Sequence, residues 1–209
     1  MAIILAYGDS NTWGFDPAGG ARFDAATRWT GVMARELGPT HQVIEEGLRG
    51  RTTVFDDPIE PGRNGAAYLT PCLLSHEPLD LIIIALGCND LKKRYSLSAT
   101  DIADGAEKLI LIARGFSVAP GAKPPAIILA APPPLARFSE YAEIFEGATP
   151  TSKLLGERYR VVAERHSVGY VDCGQFIHCS DLDGIHFEAS QHAILGKVMA
   201  EAVRMMLLL

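Results

Sequence analysis

Apolar residues along this chain fall into two alternating kinds of segment. Short unbroken runs rich in Ile, Val, Leu and Ala, bounded by Gly, Pro or Asp, occupy residues 3–7, 42–46, 79–86, 126–131 and 170–172. Such runs predict buried strands. Between them, apolar positions recur at helical intervals over residues 29–37, 66–75, 100–116, 152–165 and 188–208, the first of these stopping at Gly38. The central run Leu79-Asp80-Leu81-Ile82-Ile83-Ile84-Ala85-Leu86 is apolar on both faces, which a parallel strand covered by helices on each side requires. The alternation predicts an α/β fold: a three-layer α/β/α sandwich around a five-stranded parallel sheet in flavodoxin-like order. No repeat, low-complexity tract or linker composition interrupts the pattern, so residues 1–209 are expected to form one domain.

Two connections are longer than a compact fold needs, residues 15–28 and 132–151, and long loops of this kind are disproportionately functional. The second starts with three prolines, which forbid an immediate helix. Its Phe138, Tyr141, Ile144 and Phe145 read either as a substrate wall or subunit contact, or as a short helix tucked against the core.

Composition narrows the class. With 48% hydrophobic and 21% charged residues in 209, the balance is that of a globular chain with a single core. A net charge of −6, with no Lys/Arg cluster, argues against a nucleic-acid partner. No apolar stretch reaches the length of a membrane span, and residues 1–7 lack the basic flank and length of an export signal. A cytoplasmic location without membrane contact is expected. Cys72, Cys88, Cys173 and Cys179 show no CxxC pairing and are expected to be buried free thiols. His41, His76, His166 and His192 lack partner motifs and are expected at the surface or at helix caps.

In an open α/β sheet, ligands bind beyond the carboxyl ends of the strands. Gly8-Asp9-Ser10-Asn11 follows the first predicted strand, the stretch from Gly47 to Thr53 the second, and Gly87-Cys88-Asn89-Asp90 the third. Acyl transfer by serine needs a nucleophile, a base, a carboxylate to orient the base, and donors for the oxyanion. Ser10 is placed as nucleophile, and the N–H groups of Ser10 and Gly50 with the Asn89 amide are candidate oxyanion donors. Near the other end, Asp183-Gly184-Ile185-His186 offers a carboxylate and an imidazole three residues apart in a turn. Asp181 is a rival for the carboxylate. Trp13 and Phe15 are candidates for an apolar lip, or for simple packing against the following loop.

The set GDSN, GCND and DGIH, in this order, resembles the SGNH (GDSL-type) hydrolases, and the similarity spans essentially the whole chain. Stretches such as Arg28-Trp29-Thr30-Gly31-Val32, Arg51-Thr52-Thr53 and Asn64-Gly65-Ala66 resemble the bacterial arylesterase/acyltransferase and carbohydrate acetylesterase branch. The resemblance implies Ser10, Asp183 and His186 as catalytic residues and Ser10, Gly50 and Asn89 as the oxyanion hole. It also implies small acyl groups, no metal or other cofactor, a small-molecule ester substrate, and a homo-oligomer with the octamer as expected state. Asp9, Asn11, Trp13 and Arg49 are the further candidates for substrate binding. The chain departs from the family pattern in two places. Asn11 stands where GDSL has Leu, and Glu45 and Arg49 stand at the Asn and Ser places of the second block. An Arg49 side chain that lines the pocket would select polar or anionic acceptors.

The function expected is a serine esterase acting on short-chain acetyl esters, aryl acetates or acetylated carbohydrates, through an acyl-Ser10 intermediate, with transfer to alcohols as a side activity. A thioesterase or lysophospholipase is the neighbouring alternative. A non-catalytic nucleotide-binding module is remote, since neither GxGxxG nor GxxxxGK[ST] occurs. A silent assembly subunit is more remote still, because every triad residue type is present. His178, Cys179, Asp181, Asp183 and His186 match no common zinc spacing.

Overall fold

The computed structural model describes residues 1–116 and 123–208. Five parallel strands, β1 (Ala2–Gly8), β2 (His41–Gly47), β3 (Leu81–Ala85), β4 (Ala126–Ala131) and β5 (Gly169–Asp172), form one sheet in the order β2-β1-β3-β4-β5. This is the flavodoxin-like order the pattern predicts. Register is fixed by pairs such as Ala2 with His41, Ile4 with Leu81, Leu81 with Ala126 and Ile128 with Gly169.

The helices are α1 (Ser10–Trp13), α2 (Trp29–Leu37), α3 (Gly65–His76), α4 (Ala99–Gly115), α5 (Ala148–Ser152), α6 (Leu155–His166) and α7 (Ala189–Leu207). Helix α2 packs on α7, while α4 packs on both α3 and α6, so each face of the sheet carries a helical layer. The middle strands are therefore covered on both sides: Ile4 to Tyr7 and Leu81 to Ile84 have no exposed surface. Burial of both faces is what an unbroken apolar run makes favourable, at roughly 25 cal/mol per Å² of apolar surface removed from water.

Local chemistry sets where elements start and stop. Helix α4 begins with a capping box in which Ser98 Oγ accepts the Asp101 N–H (3.2 Å) and Asp101 Oδ2 accepts the Ser98 N–H (2.8 Å). Arg28, ahead of α2, supplies no side-chain cap, and the Trp29 N–H instead donates to His192 Nδ1 on α7 (3.2 Å). His192 is fully buried, which corrects the expectation of a surface residue and keeps the capping half of it.

The strand expected over 79–86 is trimmed to Leu81–Ala85 because Gly87 turns the chain away with φ +119°. The helix expected over 152–165 is α6, which starts three residues later than expected. Ser152 ends α5, its Oγ donating to Thr149 O (2.8 Å) and accepting the Leu135 N–H (3.1 Å), and α6 starts afresh at Leu155. Both readings of residues 132–151 are realised, on different residues: α5 and Phe145 tuck into the core, while Tyr141 and Ile144 face a cleft. All four cysteines are buried and free. Among the described residues, no helix is long and apolar enough to cross a membrane.

Candidate active site

Strand β1 runs directly into α1, so Ser10 is the first residue of that helix. The N–H groups of a helix's first turn have no intrahelical acceptor and point outward from its end. Asp9 caps the helix by accepting the Asn11 N–H (2.9 Å), and burial pushes its carboxyl up to about 6. Arg51 locks the neighbouring strand ends: its guanidinium donates to Gly8 O (2.9 Å) and lies 4.2 Å from the Tyr7 ring centre.

The chain returns to this point in the loop before α7. Gly184, with φ +85°, makes a turn that few other residues adopt, and its N–H donates to Ser180 O (2.8 Å). The turn folds Asp183 back on His186. Asp183 Oδ1 accepts the N–H groups of Ile185 and His186 (both 2.9 Å), and Oδ2 lies 2.6 Å from His186 Nδ1. Burial raises the Asp183 pKa, but hydrogen bonds and charge from His186 together outweigh it and hold the carboxyl below its ordinary value. Asp181 is exposed and makes no contact of this kind. Across the cleft, His186 Nε2 lies 2.8 Å from Ser10 Oγ. The Phe15 ring stacks on the imidazole with centroids 4.1 Å apart, and Tyr141 meets it edge-on at 6.2 Å.

Asn11 stitches the two loops together. Its Nδ2 donates to Ile185 O (3.3 Å) and its Oδ1 accepts the Phe187 N–H (3.2 Å). An apolar residue there could make neither bond, which gives a physical reason for Asn in place of the commoner Leu.

Ser10, Gly50, Asn89 and His186 all border one cleft of about 310 Å³. Asn89 Nδ2 donates to Arg51 O (3.2 Å), which fixes the amide in place. The loop that carries it is anchored by Asp90, which accepts the Thr53 N–H (3.0 Å) in the buried interior. A hydroxyl, an imidazole, an orienting carboxylate and convergent N–H donors can together accept an acyl group and stabilise an oxyanion.

Of the four further candidates for substrate binding, only Arg49 borders this cleft. Asp9 and Asn11 hold the loops as described. Trp13 lies under the guanidinium groups of Arg22 and Arg49, at 5.2 and 5.3 Å. Phe15 does line the cleft, as half of the expected lip. Glu45 faces away from it, binding Arg28 Nη2 (2.6 Å) and the Thr30 hydroxyl.

A charged cluster on another wall of the cleft has no signature in the sequence. Lys92 Nζ reaches Asp57 Oδ2 (3.3 Å) and Glu60 Oε2 (3.1 Å), and Arg94 Nη1 reaches Asp57 Oδ1 (2.9 Å). Two short stretches far apart in the chain build it, and neither has motif spacing. Among the described residues, the group that brings three ligand-type atoms together is Glu46, Cys72 and His76, on the α3 side of β2 and outside the cleft.

Known proteins share this architecture throughout. The model of the GDSL-like lipase/acylhydrolase family matches residues 6–194. An aryl esterase of M. smegmatis is 41% identical, with a TM-score of 0.95 over 99% of this chain and 100% of that one. Est24, a carbohydrate acetylesterase from Sinorhizobium meliloti, is 37% identical, with a TM-score of 0.96 over 98% and 99% of the two chains. No curated protein sequence matches the chain. With the family pattern running from the end of β1 into α7, the chain belongs to the GDSL-like lipase/acylhydrolase family.

Proposed function

We propose that this protein is a carboxylic ester hydrolase that cleaves short-chain, chiefly acetyl, esters through an acyl-Ser10 intermediate. The observation that carries the reading is the continuous line from Asp183 Oδ2 to His186 Nδ1 (2.6 Å) and from His186 Nε2 to Ser10 Oγ (2.8 Å) at the edge of the cleft. The aryl esterase and carbohydrate acetylesterase that resemble the chain over its whole length support aryl acetates and acetylated sugars as substrates.

In this mechanism Ser10 Oγ attacks the ester carbonyl while His186 Nε2 takes its proton. The carbonyl oxygen gains the negative charge, facing the N–H groups of Ser10 and Gly50 and the Asn89 amide. Collapse of the tetrahedral adduct breaks the bond to the alcohol oxygen, which leaves with the proton from His186. Water then enters, gives a proton to His186 and attacks the acyl carbon. Collapse releases the acid and returns the proton to Ser10. Asp183, kept ionised, holds the imidazole in the tautomer with its proton on Nδ1 and steadies the imidazolium. An alcohol in place of water gives acyl transfer.

A cleft of about 310 Å³ favours a small acyl group over the long chain of a lysophospholipase substrate. A series of 4-nitrophenyl esters tests this: kcat/KM is expected to be highest at acetate to butyrate. Activity that rises beyond octanoate defeats the acetylesterase reading. A fluorophosphonate probe is expected to label Ser10, and failure to label it defeats the acyl-enzyme route. One domain over residues 1–209, a cytoplasmic location and a homo-oligomer, with an octamer as expected state, belong to the same reading. Free buried thiols support the location, and light scattering reads the assembly.

A further inference from the structure

Charge is distributed unevenly around the cleft. Arg49, Arg63, Lys92 and Arg94 border it, against Glu60 alone, with Asp57 beneath. Lys92 is engaged by both carboxylates, at 3.3 and 3.1 Å, and Arg94 by Asp57, at 2.9 Å. Arg63 approaches Glu60 only to 3.7 Å. Three cations thus share two carboxylates. Arg49 has no carboxylate within 4.0 Å among the described residues, and it is exposed at the border of the cleft.

The position of Arg49 says which half of a substrate it meets. Its guanidinium lies 5.3 Å from the centre of the Trp13 ring and 5.8 Å from that of Phe15, and Phe15 in turn stacks on the imidazole of His186. The alcohol oxygen of a bound ester has to sit within hydrogen-bond reach of His186 Nε2 in order to leave with its proton. An alcohol portion that runs from there along Phe15 meets Arg49. Arg63 borders the same cleft next to Gly50, where an added Cβ would come 3.1 Å from Arg63 Nε. A guanidinium resting on aromatic rings is already oriented, and it offers the paired donors that match a carboxylate.

We propose that the preferred substrate is a small acyl ester whose alcohol portion carries a carboxylate, which Arg49 binds beside the leaving oxygen, with the surplus positive charge of the cluster of Arg63, Lys92 and Arg94 drawing the anion into the cleft. This rests on the esterase reading above and adds to it the charge of the substrate. An excess of positive charge in a concave site also disfavours cationic esters.

The test compares 4-acetoxybenzoate with 4-acetoxybenzamide, each rate divided by that ester's rate with hydroxide so that leaving-group reactivity cancels. The wild-type protein is expected to prefer the anionic ester by roughly tenfold in kcat/KM, mainly through KM. The preference should shrink as salt is raised to about 0.5 M. In Arg49→Gln the ratio should fall towards one, and Arg49→Lys should restore part of it. A wild-type ratio of one or less overturns the inference, as does a ratio unchanged in Arg49→Gln. The wild-type ratio and its salt dependence decide the matter even where a variant folds poorly. Turnover of both esters at equal corrected rates refutes this inference alone, whereas turnover of neither refutes the esterase reading and this one with it.

Discussion

Proton transfer at this site depends on contacts made by single atoms. Ser10 Oγ has His186 Nε2 at 2.8 Å, placed to accept its proton in the proposed mechanism, and His186 Nδ1 is held by one oxygen of Asp183 while the other accepts two backbone N–H groups. Removing the hydroxyl in Ser10→Ala, or the ring in His186→Ala, is expected to lower kcat/KM by roughly 10⁵- to 10⁶-fold. Asp183→Asn leaves the base in place but no longer secures its tautomer, so a smaller loss, roughly 10⁴-fold, is expected. Purified variants assayed on 4-nitrophenyl acetate with matched thermal unfolding curves decide this, and trivial losses in all three would remove the triad assignment. The residues of the candidate triad stand out in the sequence because each sits in a short block whose residue types fit one chemistry. Asn11 does not: its bonding partners lie 174 and 176 positions away, and a polar residue behind a nucleophile looks like a substrate contact until the second loop is in place. The cluster of Asp57, Glu60, Lys92 and Arg94 was hidden for the same reason, since separate loops supply its charges.

At the level of elements, the apolar runs and helical periods identified the five strands and the longer helices, because burial on both faces imposes an unbroken apolar run and burial on one face a helical period. What periodicity does not report is a local polar bond that stops a helix, such as the Ser152 hydroxyl between Thr149 O and Leu135 N. Nor does it report close approach between helices. Where α7 crosses α2, a Cβ on Gly196 would lie 2.5 Å from Val32 Cβ and 2.7 Å from Trp29 O, distances that require the helices to part. Overpacking of this kind costs about 1–3 kcal/mol. Gly196→Ala is therefore expected to lower the urea midpoint of unfolding by a corresponding amount although alanine is the better helix former. An unchanged or higher midpoint would mean that helix propensity outweighs the contact, and that the crossing is looser than it looks.

The molecule as a whole balances buried acids against a buried base, and this balance shapes its response to pH. His192 has no exposed surface, and burial, with smaller contributions from the charges of His186 and Arg28, lowers its pKa from 6.5 to about 4. Its Nδ1 accepts the Trp29 N–H, so the folded protein holds the neutral ring. Because the folded value lies below the unfolded one, the stability that neutral His192 supports is complete above pH 6.5. It is lost as the pH falls from 6.5 towards 4, by an amount on the order of 3 kcal/mol. Asp9 and Asp90 act in the opposite sense. Burial raises both from 3.8 to about 6, so the folded state binds their protons first and gains stability as the pH falls from 6 to 3.8. The two contributions overlap and mask each other in the wild-type protein. Replacing His192 by Asn keeps an oxygen near the Trp29 N–H and removes the titrating ring, at the expense of a small cavity that weakens the fold equally at every pH. Relative to its own stability at pH 7, His192→Asn should therefore lose less than the wild type, or gain more, on going to pH 4.5. Urea midpoints for both proteins at the two pH values measure the difference. Parallel shifts would show that His192 takes up no proton on unfolding in this range, and that other groups set the acid response of the fold.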